Sequence, residues 1–190
     1  MKNNNTFKEY VAPILVLVCI CLVVTAALAA TYGVTKPIIE TNSKKAADEA
    51  RMELLADADG FTAYDGELAV AEPDKVFVSE CYIADNGAGM VVTVSTKSFG
   101  GALTELIGID ANGKITGVKV TAHADTPGLG TKAHDAAFVD QYKGLTEITS
   151  TTAKDEAAVN HVSGATISSN AVHYGVYDAM EQYKIVGCAK

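Results

Sequence analysis

From Val11 to Tyr32 the chain runs 22 residues without a charge, and Val, Leu, Ile, Ala and Cys dominate the stretch. Coiled as a helix, such a run spans roughly 33 Å, enough to cross a hydrocarbon core of ~30 Å. Pro13 falls in the first turn, where a missing N–H does no harm. Tyr10 and Tyr32 bracket the run as interfacial aromatics do. Ala27-Leu28-Ala29 has the small-x-small form of a signal cleavage site, but the apolar core of a signal peptide is typically only ~7–15 residues long. Cys19 and Cys21 follow Val18 and Ile20, not the small residue that a lipoprotein start requires. The reading is a retained single-pass anchor over residues 11–32, behind an N-terminal tail of residues 1–10. Lys2 and Lys8 precede the span while Lys36, Lys44, Lys45 and Arg51 follow it, so local charge does not set its orientation.

The rest of the chain reads as one domain on a connecting helix. With 48% hydrophobic and 20% charged residues the composition is that of a folded protein. The formal net charge is −8; residues 1–32 carry +1 (Lys2, Lys8, Glu9), leaving −9 for the remainder. A domain this acidic is a poor partner for nucleic acid, whose phosphates need clustered Lys and Arg. The four cysteines form no Cys-x-x-Cys pair, which argues against a cysteine-built zinc or iron–sulfur site; whether Cys81 and Cys188 pair stays open. Apolar positions from Ile38 to Ala58 recur at helical intervals and Asp59-Gly60 ends them, so residues 33–60 are assigned to a connecting helix.

Residues 61–190 then form a mixed α+β domain. Val76–Val78, Cys81–Ile83 and Met90–Val94 are short β-favouring runs, and Leu106–Ile109 and Ile115–Val120 flank an Asp-Ala-Asn-Gly turn, together predicting a mainly antiparallel sheet with flanking helices. Gly100-Gly101 lies between strands, where ordinary loop glycines are the favoured reading and a bulge or a close backbone approach is the alternative. A short helix is expected from Lys132 and His134 to Tyr142.

Two stretches carry chemistry. In His161-Val162-Ser163-Gly164-Ala165-Thr166, small residues lead directly into a helical pattern marked by Val172, Val176, Met180 and Tyr183. Ser168, Ser169 and Asn170 are candidates to cap its first turn. The Thr166 hydroxyl then sits where free backbone N–H groups and the positive end of the helix dipole converge, a place that holds a phosphate. Upstream, His123-Ala124-Asp125-Thr126-Pro127-Gly128-Leu129-Gly130-Thr131-Lys132 is a Pro-Gly turn with a second glycine where backbone can approach a ligand closely. A hydrolase built on Ser163 or Ser168 lacks the Gly-x-Ser-x-Gly elbow.

Ser163-Gly164-Ala165-Thr166 resembles the flavinylation motif of the FMN-binding domain family shared by the G subunits of Rnf electron-transport complexes and the C subunits of sodium-pumping quinone reductases. The His-x-Asp-Thr-Pro-Gly-Leu-Gly segment resembles that family's second signature, about forty residues earlier and in the same order. The resemblance implies a membrane-anchored, extracytoplasmic flavoprotein that relays electrons within an Rnf-type ion-translocating complex, rather than a catalyst by itself. It implies FMN joined through a phosphoester to Thr166 by a separate flavin transferase. It also places Ser163, Gly164, Ala165, Ser168, Ser169, His123, Thr126, Pro127, Gly128, Leu129 and Gly130 around the cofactor. Lys132 is read from its position as facing the phosphate, with a solvated lysine as the alternative, and the scattered His134, His161 and His173 give His123 no partner at metal spacing. The transferase usually meets an aspartate three residues before the motif's first residue; here that position is Asn160, which keeps an acceptor oxygen but loses the charge. The departure keeps a second reading open: a membrane-anchored extracytoplasmic binding or sensory module of this fold without covalent flavin.

Overall fold

The computed structural model describes residues 10–72 and 74–187, apart from the side chains of residues 40, 43 and 44. Most of the expected N-terminal tail and Cys188 lie outside these residues. The chain divides into two compact units, residues 1–47 and residues 48–190.

Helix α1 (Ala12–Leu54) begins in the first unit and ends in the second. It is one uninterrupted helix with Pro37 inside it, and it stops at Leu54 rather than Ala58. Residues 12–39 are long and apolar enough to cross a membrane, with a mean hydropathy of 2.9 over an 18-residue window. Their large side chains stand in the open, as with Leu22 and Val23, 65% and 69% exposed. An uncovered apolar surface of this extent calls for lipid or a partner. The hydroxyls of Thr31, Thr35 and Thr41 donate back to carbonyls four residues earlier, at 2.8–3.0 Å, so these three are satisfied within the helix.

In the second unit six strands form one antiparallel sheet: β1 (Phe61–Ala63), β2 (Val70–Glu72), β3 (Val76–Ala84), β4 (Gly89–Lys97), β5 (Ala102–Asp110) and β6 (Ile115–Ala122). The path is β1-β3-β4-β5-β6, with β2 pairing the other end of β3. The two runs expected at 76–78 and 81–83 fuse into β3, because a register shift between Val78 and Glu80 carries the strand through its polar middle. The turn at Asp110–Gly113 closes β5 onto β6 as expected, with Gly113 at φ 79°. The expected α+β class holds.

Period-two alternation gives each face of the sheet its own cover. On one face Met90, Val92, Val94, Leu103, Ile107 and Ile109 pack under helix α3 (Thr166–Val186), through Val172, Val176, Ala179 and Met180. On the other, Val91, Leu106 and Ala84 receive Ala50, Leu54, Leu55 and Ala58. Gly108 and Gly117 pair across β5 and β6, and a Cβ on either would come within about 3 Å of Leu54, so two bare positions form its seat. Arg51 clasps the same end, 3.7 Å above the Tyr82 ring and 2.6 Å from Asp48. The short helix expected up to Tyr142 is broken by tight turns: a 3₁₀ turn at Gly130–Ala133, α2 (Ala136–Val139) and a 3₁₀ turn at Asp140–Tyr142.

One inward position on β5 breaks the apolar pattern. Glu105 is wholly buried facing Gly175 of α3, and neither carboxyl oxygen has a partner among the described residues. Burial pushes its carboxyl well above the ordinary value, so it is held protonated. An acid raised in the folded state adds stability that is complete below its unfolded value and is lost as pH rises toward the folded one. Between those limits wild type should lose up to ~1.4 kcal/mol per pH unit relative to Glu105→Gln. Thermal melts of both proteins in detergent from pH 5 to 8 check this, and parallel curves contradict it.

Candidate functional site

The first turn of α3 is assembled in an unexpected way. Gly164, at φ 83°, turns the chain into the helix, and Ala165 stands at the N-cap with a methyl group that cannot accept a hydrogen bond. The capping expected of Ser168, Ser169 and Asn170 does not occur, because the helix starts at Thr166 and all three lie inside it. Each side chain is spent on a neighbouring loop instead. The Ser169 hydroxyl accepts the Val162 N–H at 3.0 Å, Asn170 Oδ1 accepts the Ala153 N–H at 3.1 Å, and Ser168 bonds the Asp125 carboxylate. The helix therefore opens with no side-chain cap, and the exposed Thr166 hydroxyl has no hydrogen-bond partner among the described residues.

The second signature folds against this turn. The Thr126 carbonyl accepts N–H groups from Leu129 at 3.2 Å and Gly130 at 3.1 Å, with Gly128 at φ 78°. Gly130 is where the loop meets the helix: a Cβ there would lie 2.9 Å from Asp125 Cβ and 3.0 Å from Ser168 Oγ. Asp125 is the knot beneath. Its Oδ2 accepts the Ser98 hydroxyl at 2.5 Å and its Oδ1 accepts the Gly100 N–H at 2.7 Å. His134 Nε2 lies 3.1 Å from Oδ2. Burial alone would raise the carboxyl, but the bonds from Ser98, Gly100 and Ser168 outweigh it, with His134 adding to them where it is protonated, and hold Asp125 below its ordinary value. Gly100 is not the ordinary loop glycine favoured on sequence but a close backbone approach, since a Cβ on it would lie 2.0 Å from the Ala124 carbonyl oxygen.

Between loop and helix lies a cleft of about 300 Å³ lined by Phe99, Thr126, Leu129, Gly130 and residues 164–168. Thr166 is at its edge, and Phe99, Leu129 and Ile167 are 70%, 50% and 55% exposed. A flat apolar ring would cover those three side chains, and an anionic group would meet the uncapped helix end. The residues present fit FMN on both counts.

Of the expected site residues, Thr166, Gly164, Ala165, Ser168, Thr126, Leu129 and Gly130 come together in this cleft. Ser163, Pro127 and Gly128 are exposed on the same two loops without lining it, and Ser169 is buried behind it. Lys132 lines a different cleft, with Asp135, Gln141 and Asn160, so the structure does not bring it to Thr166. His123 is exposed, its ring 4.4 Å from that of His134. Asn160 is tied to Gln141, whose Oε1 accepts its backbone N–H at 2.8 Å. Sequence reasoning missed Phe99, Ile167 and His134. The signal for Phe99 was a lone aromatic beside two glycines; Ile167 and His134 gave none before the fold was known.

The model of the FMN-binding domain family matches residues 98–181, a span that takes in Phe99, both loops and most of α3. Among curated proteins, the G subunit of the Na(+)-translocating ferredoxin:NAD(+) oxidoreductase complex of Acetobacterium woodii is 32% identical over 188 residues, covering 90% of this chain and 89% of that protein. The G subunit of the proton-translocating ferredoxin:NAD(+) oxidoreductase complex of Clostridium ljungdahlii is 29% identical over 168 residues, 85% of each. Among solved structures, Shewanella oneidensis NqrC aligns with a TM-score of 0.42 and 19% identity over 62% of this chain and 72% of that one. The chain belongs to the FMN-binding domain family and, within it, to the G subunits of Rnf-type ion-translocating oxidoreductase complexes.

Proposed function

We propose that this chain is a membrane-anchored electron carrier whose FMN is joined by a phosphoester to Thr166, working as the G subunit beside the other subunits of an Rnf-type complex. The observation that carries the proposal is the conjunction at Thr166: an exposed, unpartnered hydroxyl on an uncapped helix end, at the edge of an apolar cleft. FMN, when bound, supplies the redox chemistry. The chain's own residues bind and orient. Thr166 Oγ fixes the phosphate, and the first turn of α3 offers it N–H groups and the positive end of the dipole. Phe99, Leu129 and Ile167 present the apolar surface that a ring system needs on at least one face. Asp125 holds the two loops and the helix at one spacing.

The apolar part of α1 is read as the bilayer anchor, with the flavin domain on the extracytoplasmic side. There a flavin that dissociated would be lost, which gives covalent attachment a purpose. A flavin transferase is then required for maturation, and its access runs over Asn160 and the exposed Ser163.

Protein expressed in membranes with a flavin transferase should gain the mass of FMN less water, and the adduct should fluoresce on a denaturing gel. Thr166→Ala should lose both signals. No adduct with abundant transferase overturns the covalent reading and leaves the binding or sensory module of the same fold. An adduct that appears only in Asn160→Asp would trace the failure to that amide. In the loaded protein, Phe99→Ala and Leu129→Ala should each remove apolar cover worth ~1–2 kcal/mol. Steeper quenching of flavin fluorescence by iodide is the expected result, and unchanged quenching would move the ring elsewhere.

A further inference from the structure

Behind the cleft, on the far side of Gly130 and Ser168 from Thr166, stands a row of side chains that the carrier reading does not use. Asp125 has no exposed side-chain surface, and His134, 8% exposed at its side chain, faces it at 3.1 Å. The His134 ring lies 4.4 Å from the ring of His123, which is open to solvent. Nε2 is the ring nitrogen turned to a carboxylate oxygen, at 3.1 Å without hydrogen-bond alignment, so the neutral ring is assigned its hydrogen there and Nδ1 its lone pair. Nδ1 is buried without a hydrogen-bond partner. The row places His123, His134, Asp125 and Ser168 in succession from solvent to the cleft wall, with a ring contact and no hydrogen bond between the two histidines.

We propose that His134 takes up a proton at Nδ1 when a flavin held in the cleft is reduced and releases it on reoxidation. Electron passage is thereby coupled to protonation of the chain itself. The inference rests on the flavin reading given above. In each cycle one electron enters the flavin from a one-electron carrier of a neighbouring subunit, and one proton enters Nδ1 from water. An N–H bond forms, no other bond of the chain changes, and both particles leave when the electron moves on.

The geometry explains the direction of the coupling. Three charged or titratable groups face the ring: Asp125 and Asp135, which favour its cation, and His123, which opposes it. Burial is the largest influence, ahead of His123, and the two together hold His134 below its ordinary value in spite of both aspartates. The ring is accordingly neutral near pH 7. A negative charge added across Ser168, in a partly dry site, acts with the two aspartates and tips the balance toward the cation. A purely structural histidine would stay neutral in both redox states.

The test uses the full flavin-loaded chain in detergent, ¹⁵N-labelled at histidine, with imidazole resonances followed from pH 5 to 8 before and after reduction by dithionite. His134→Gln assigns the signal; should it not fold, His123→Asn, His161→Asn and His173→Asn assign it by elimination. The expected result is at least a tenfold rise in the proton affinity of His134 on reduction. Midpoint potentials should agree: wild type minus His134→Gln should vary with pH across the same range. An identical titration in both redox states, or a constant offset in potential, overturns the proposal. A chain that takes up no flavin overturns both readings, and its visible spectrum tells that case from a loaded chain whose His134 does not respond.

Discussion

The carboxylate of Asp125 is the point on which the site depends. Its hydrogen bonds reach the turn after β4, through Ser98 and Gly100, and the first turn of α3, through Ser168, while its own backbone belongs to the Pro-Gly loop. Three segments far apart in sequence are thus fixed to two oxygen atoms. A buried carboxylate with this many donors is held ionised, and an ionised group tolerates little misalignment of its donors. The width of the cleft is set there and not by the apolar side chains that line it. Removing the charge would leave Phe99, Leu129 and Ile167 in place but without a fixed spacing.

Around that point the sheet acts as a rigid floor. α3 covers one face and the end of α1 the other, so the strand that leads to Phe99 is packed from both sides. Glu105 is the exception within this core, a neutral acid where its neighbours Leu103 and Ile107 are hydrocarbon. Nothing in the packing explains it.

Much of this was legible in the sequence, because the signals were local. An uncharged run of 22 residues, a turn at Asp110–Gly113 and the helical rhythm after Thr166 each depend on residues close together in the chain. The failures share a cause. Ser168, Ser169 and Asn170 look like caps on composition, yet their partners are Asp125, Val162 and Ala153, contacts set by the fold rather than by neighbours in sequence. Lys132 stands two residues past Gly130, but the 3₁₀ turn at Gly130–Ala133 carries it to another cleft. His134 looked like one of four scattered histidines until the fold placed it on Asp125 and against His123.

The uncapped start of α3 bears on the order in which such a protein is finished. The N-cap is Ala165, which offers no acceptor, and the polar side chains of Ser169 and Asn170 brace loops, so the backbone donors of the first turn are left to water. On the proposed reading the phosphate is the acceptor that this turn lacks, and attachment completes the secondary structure as well as the cofactor site. The chain that leaves the ribosome would then be an intermediate with a frayed helix end, and loading would be its last folding step. Empty and loaded molecules would differ in susceptibility to proteolysis at the 160–166 loop, which gives a cell a physical basis for sorting one from the other before assembly.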